Sequence, residues 1–216
     1  MSSDANGVQT YLLSVRILPQ QNGVHLRQLI HEINDAFENF AGNFKIVHKF
    51  KVTGEAKILA VVDVSDIVAL ENFVETLWNL GSLDVNSNPL LHYETFARNI
   101  GAAEKLIKLP EPKLGKDNLY WLELDIEYHG KTSEAFIDLW RREVKFVLTS
   151  RAQGELGLTP YKAVGQRKIH LFLNQPSVGQ LDKVTFQLPI MVENGHNIQI
   201  RTKRIQFLED YTKGHP

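Results

Sequence analysis

The chain has 216 residues, of which 43% are hydrophobic and 23% charged, enough to bury the core of one large or two small domains. Its 24 Lys and Arg nearly balance 25 Asp and Glu for a net charge of -1, which leaves no basic field for a polyanion and argues against nucleic acid as a partner. With no cysteine, disulfides, thiolate metal sites and cysteine nucleophiles are excluded.

The first residues, Met1 to Gly7, are small and polar, without the basic and then apolar run of a secretory signal. No apolar stretch approaches bilayer-spanning length, so no membrane partner is expected and a cytoplasmic location is. Tyr11, Leu13, Val15 and Ile17 alternate with Leu12, Ser14 and Arg16, which predicts a half-buried strand. Between His25 and Phe40 the period lengthens, and Leu26, Leu29, Ile30, Ile33, Phe37 and Phe40 form one helical stripe. Phe44 to Val52 and Lys57 to Val64 read as antiparallel strands around a turn at Gly54. A second helix is expected from Asp66 to Leu80, and a closing strand from Pro89 to Ala97.

At an offset of 111 residues the sequence resembles itself: Lys51 pairs with Lys162, Gly54 with Gly165, Lys57-Ile58 with Lys168-Ile169, Leu70 with Leu181 and Leu77 with Leu188. The second copy predicts strands at Leu119–Tyr128, Pro160–Val164, Lys168–Asn174 and about Asn197–Phe207, with helices at Ser133–Arg151 and Val178–Gln187. The expected fold is α+β: two ferredoxin-like β-α-β-β-α-β repeats, 8–97 and 119–209, joined by a linker over 98–118 that carries Pro110 and Pro112. Each sheet would have one uncovered face, so the two are expected to pack sheet to sheet as an intramolecular dimeric α/β barrel, a pseudo-dimer within one chain that leaves further homo-oligomerisation open.

Tyr161-Lys-Ala-Val-Gly165, the strand Lys168 to Asn174, Gln175-Pro-Ser177 and Gln187-Leu-Pro189 resemble the muconolactone isomerase-like branch of the dimeric α/β-barrel superfamily. Phe50-Lys51-Val-Thr-Gly54 and Val61-Val-Asp-Val-Ser65 repeat the spacing in the first copy. The resemblance implies a ferredoxin-like subunit, a small-molecule pocket between sheet and helices, and cofactor-free acid/base chemistry on lactones. Where the family has a Trp-x-x-x-Gly stretch beside an Arg, this chain has Tyr161-Lys162 and Phe50-Lys51.

Proton transfer next to a carbonyl needs a tuned carboxylate or His and a donor for the developing oxyanion. Glu143, at the edge of the helical stripe and three residues after Trp140, is the candidate base; Glu32 is its repeat-mate, and Lys162 the candidate electrophile. The alternative for Glu143 and Glu32 is a helix-flank charge paired with Arg142 or Lys145. If Leu122, Leu124 and Ile126 face the helices, then Trp121, Glu123, Asp125 and Glu127 face the other way. There Asp125 or Glu123 could orient His170, next to Phe172, and Arg16 of the first copy could meet Glu123 or Asp125 as an interface pair or as part of a polar pocket. Trp140, Trp121, Phe172, Glu32, Lys51 and Arg16 are therefore candidate ligand-binding residues.

The histidines have no metal-ligand spacing, and no dinucleotide, nucleotide or serine-hydrolase motif occurs, so no metal and no cofactor are expected. Three readings stand: a cofactor-free isomerase acting on a small lactone or carbonyl compound, a small-molecule binding protein without turnover, and a structural or interaction module with a filled pocket.

Overall fold

The computed structural model describes residues 7–20, 23, 25–40, 44–109 and 113–215. Residues 1–6, and the linker prolines Pro110 and Pro112, lie outside them. The chain divides into two compact units, 1–90 with 205–216, and 91–204. No helix among the described residues is long and apolar enough to cross a membrane.

In the first unit the order is β1 (Gln9–Ile17), α1 (Leu26–Asn39), β2 (Phe44–Val52), β3 (Lys57–Val64), α2 (Ile67–Trp78) and β4 (Leu83–His92), whose last two residues belong to the second unit. The antiparallel strand order is β4-β1-β3-β2. Leu13, Val15 and Ile17 of β1, with Ile58, Ala60 and Val62 of β3, face Leu29, Ile30, Ile33 and Phe37 of α1 and Leu70, Phe73 and Leu77 of α2. The expected parity of β1 is therefore the observed one. Asp66 caps α2 by accepting from the Val68 N–H at 2.9 Å. Aromatic rings fill the space under the helices: Phe73 sits 4.8 Å from Phe37, 5.0 Å from Phe40 and 4.8 Å from Phe44, centroid to centroid.

The second unit holds α3 (Tyr93–Asn99), α4 (Glu104–Ile107), β5 (Leu119–Ile126), α5 (Ser133–Ala152), β6 (Gly157–Ala163), β7 (Lys168–Asn174), α6 (Val178–Gln187) and α7 (Pro189–Asn194). A 3-10 turn, Gly195–Asn197, leads into β8 (Ile198–Phe207), whose residues up to Arg204 belong to this unit. Its strand order is β8-β5-β7-β6. The last three residues of β8 pair with β2, and α8 (Leu208–Gly214) then packs on α1 in the first unit. Thr132 caps α5 and Ser177 caps α6, each accepting from an N–H three residues on.

The closing strand of the first copy differs from expectation. It begins at Leu83 rather than Pro89, because Leu83 to Leu90 pair along the whole of β1 despite their polar side chains. Residues 93–97, expected to be strand, are helical, with Tyr93 and Ala97 buried one turn apart. Part of the stretch read as linker is likewise α4.

Candidate active site

The second unit keeps a cavity where the first is packed with phenylalanines. It lies between the sheet and the helices and has a volume of about 40 Å³. Leu122 and Leu124 of β5, Ile169 and Leu171 of β7, Trp140 and Val147 of α5, and Thr185, Leu188 and Ile190 of the α6–α7 segment form an almost wholly apolar lining. Two ionisable side chains reach it, Glu143 and Tyr93.

Glu143 is 4% exposed, on the inner face of α5 one turn after Trp140. Its Oε2 accepts from the Ile190 N–H at 3.0 Å. Burial pushes the carboxyl up to about 7, and the Ile190 N–H, which favours the ionised form, holds it back from going higher. The helix-flank alternative does not describe it, since Arg142 pairs instead with Glu193 at 2.8 Å. Glu143 is a carboxyl that can exchange a proton near neutrality inside an apolar chamber.

Tyr93, the first residue of α3, is 2% exposed. Its phenol is held well above the usual range by burial, then by the charges of Glu143 and Glu94, against the opposing charge of Arg151. It is a protonated hydrogen-bond donor at any physiological pH. Behind it, Arg151 is almost wholly buried and pairs with Glu94. Tyr93 was not among the residues singled out by sequence, because a strand reading of 89–97 gave no reason to aim it at α5. A helical reading, with apolar residues at 93, 96 and 97, would have.

The other predicted residues take different places. Trp140 is a wall of the cavity, edge-on to Phe96 at 5.1 Å. Lys162 is not at the lining: its ammonium donates to the carbonyls of Ala163 (2.7 Å) and Gln166 in its own hairpin. Lys51 does the same with Val52 (2.6 Å) and Glu55, and lies 5.4 Å from the Tyr211 ring. Burial lowers both ammonium groups. Glu32 is at the surface and accepts from Gln28.

His170, Trp121, Phe172 and Asp125 occupy the opposite sheet face from the cavity, since neighbouring Ile169, Leu171, Leu122 and Leu124 line it. The Trp121 indole N–H donates to His170 Nδ1 at 3.3 Å, with the rings stacked, while Glu123 stands 4.0 Å from the same nitrogen. The expected carboxylate partner is thus second to an indole. Glu123 and Asp125 are engaged by Lys168 (3.3 Å to each) and Arg201 (3.1 and 2.6 Å). Burial alone would raise the Asp125 carboxyl, but the hydrogen bonds and charges of Arg201 and Lys168 bring it below its ordinary value. Arg16 pairs with Asp84 of its own unit at 2.9 Å rather than with either acid. Among the described residues no group of three or more His, Asp or Glu could hold a metal ion.

No protein-family profile and no curated protein matches the sequence. Solved structures do match in fold. A single-substitution variant of chlorite dismutase from Candidatus Nitrospira defluvii has a TM-score of 0.64 at 11% identity, over 97% of this chain and 95% of that one. The same enzyme in complex with imidazole gives 0.59 at 11% identity over the same shares. A second chlorite dismutase-like protein gives 0.57 at 13% identity, over 97% and 99%. The chain shares the fold of chlorite dismutase-like proteins, which belong to the dimeric α/β-barrel (ferredoxin-like) family.

Proposed function

We propose that the chain is a tandem, muconolactone isomerase-like protein that moves a proton on a small neutral lactone or carbonyl compound without a cofactor. The reading rests on one observation: a buried Glu143, its carboxyl at about 7, in an apolar cavity beside a protonated Tyr93. In the reaction Glu143 removes a proton from the carbon next to the carbonyl, and the C–H electron pair becomes a C=C bond. The carbonyl π pair moves onto oxygen, where the Tyr93 O–H donates a hydrogen bond. Where the substrate carries a C=C bond one carbon further on, the negative charge extends over it, and return of the proton from Glu143 to the far carbon of that bond re-forms the carbonyl, shifts the C=C bond into conjugation and restores the carboxylate. Tyr93 takes the electrophile's part in place of Lys162 or His170, which do not line the cavity.

The fold's relatives raise a haem as a ligand. The lining does not fit one. Its described residues include no imidazole, its phenol is held protonated, and about 40 Å³ falls far below the roughly 300–1,000 Å³ of pockets that enclose large ligands. Binding without turnover is the second reading, favoured by how little of a substrate so small a chamber encloses.

The test is a thermal-shift screen of wild type and Glu143→Gln against small lactones, aromatic acids and apolar carbonyl compounds, followed by turnover of any class that binds. Binding by both proteins with turnover by wild type alone is expected. Turnover retained by Glu143→Gln overturns the proton-transfer reading, and binding without turnover in either selects the second reading.

A further inference from the structure

The cavity at Glu143 is too small for a whole substrate: about 40 Å³ against the roughly 150 Å³ of an engineered cavity that takes up benzene. It encloses the atoms that react and little more. A second, open hollow of about 380 Å³ lies on the outer side of α6, bounded by Leu181, Thr185 and Phe186 of α6, Met191 of α7, and Ile198 and Ile200 of β8. Thr185 lines both spaces. The chamber holding Glu143 and an apolar groove at the surface therefore meet the same residue of α6.

The groove's composition is unusual for a solvent-facing surface. Val178 is 68% exposed and Phe186 64% exposed, both on α6, and Asp182 is the one charged residue among those lining it. Large apolar side chains left in water along a concave wall mark a place where apolar surface is buried on binding. A lone carboxylate in that wall disfavours an anionic ligand.

We infer that the groove is the second half of the substrate site: the ligand is a neutral carbonyl compound or lactone with a hydrocarbon tail, its reactive end in the chamber at Glu143 and its tail past Thr185 along α6 and β8. The inference deepens the proton-transfer reading and rests on it for the identity of the buried end. The Thr185 hydroxyl already donates to the Leu181 carbonyl at 2.9 Å, so its methyl is what the passing chain meets. Entry then needs a side-chain displacement at Thr185 and its neighbour Val184, not a rearrangement of the sheet.

The test is isothermal titration of wild type and a Val178→Ser, Phe186→Ser double variant with γ-butyrolactone, γ-octalactone and γ-dodecalactone, with turnover of the β,γ-unsaturated 2(3H)-furanone analogue of each lactone followed in wild type and Glu143→Gln. Both serines replace exposed side chains, so the fold is kept. In wild type, affinity is expected to rise along the series by up to roughly fourfold for each methylene that the groove covers. In the double variant that rise is expected to flatten. Affinity that does not depend on tail length in wild type, or a rise of equal steepness in the variant, overturns the groove.

The two readings fail separately. Turnover of unsubstituted 2(3H)-furanone that is lost in Glu143→Gln, without any gain from longer tails, leaves proton transfer standing and removes the groove. A tail-dependent affinity that the serines flatten, with no turnover in either protein, keeps the groove as a binding site and removes proton transfer. Absence of binding by all three lactones overturns both.

Discussion

Lys51 and Lys162, 111 residues apart in the chain, make the same two hydrogen bonds: each ammonium donates to the carbonyl of the next residue and to the carbonyl four residues on. The chain turns back between those carbonyls at Gly54 (φ 76°) and Gly165 (φ 69°), a conformation that glycine adopts without steric cost. The two hairpins thus share a clasp, in which a lysine ties the carbonyl that closes the turn, already accepting a backbone N–H, to a second carbonyl on its far side. Lys51→Met or Lys162→Met keeps the aliphatic stem and removes the donor, and is expected to cost about 1–2 kcal/mol. Denaturant midpoints measure the loss. An unchanged midpoint would mean that water replaces the ammonium without penalty.

Glu143 makes stability depend on pH in a sense opposite to that of a salt-bridged acid. Its folded value, about 7, lies above the 4.5 of an unperturbed glutamate, so the folded state binds its proton more tightly. Below the unfolded value both states are protonated and nothing is lost. As pH rises from about 4.5 to about 7 the unfolded chain ionises first, and wild type loses on the order of 3 kcal/mol before the curve flattens. Glu143→Gln has no proton to lose and is expected to lack that decline, so it should be the more stable protein above the folded value. Urea unfolding across the window tests this, and parallel curves for the two proteins would refute it.

Much of this architecture was legible in the sequence, and for identifiable reasons. β2, β3, β7 and α6 fall at the expected boundaries, because β-branched and aromatic runs meet Gly turns and Ser177 supplies a cap. β4 was misplaced because Asp84, Asn86, Ser87 and Asn88 are poor strand formers, and only pairing with β1 draws them into the sheet. The burial of Glu143 was legible because it borders an apolar helical stripe. Lys162 instead turns onto the Ala163 and Gln166 carbonyls of its own hairpin, a side-chain direction that no residue pattern displays. Tyr93 was lost with the strand reading of 89–97.

Two ion pairs of similar chemistry are expected to differ widely in worth. Arg16 and Asp84 are 63% and 39% exposed, so Arg16→Ala should cost less than about 1 kcal/mol. The Arg151 side chain is 1% exposed, and Glu94→Ala takes one carboxylate away from a buried guanidinium, at a cost of about 3 kcal/mol. Thermal unfolding of the two variants side by side checks the order, and equal losses would contradict it.

Haemin is a direct probe of the cavity's size and lining. Protein mixed with haemin and then desalted is expected to retain none, since the described residues of the lining include no imidazole and leave little room. A stoichiometric absorption band surviving the column would mean that the cavity opens and recruits a ligand from outside its present lining.

Tyr93→Phe separates chemistry from packing at the site. The phenyl ring keeps its contact with Phe96, 5.9 Å between centroids, and loses only the hydroxyl. The hydroxyl's value should lie in the transition state, where negative charge gathers on the substrate oxygen in a chamber from which water is largely excluded. Its removal is therefore expected to lower kcat by about a hundredfold while KM stays within a few-fold, the pattern of an interaction made only as the reaction proceeds. A purely structural tyrosine would behave otherwise: the melting temperature would fall and kcat would not. If KM rises and kcat is kept, the phenol binds the ground state, and the developing oxyanion must be met by another donor.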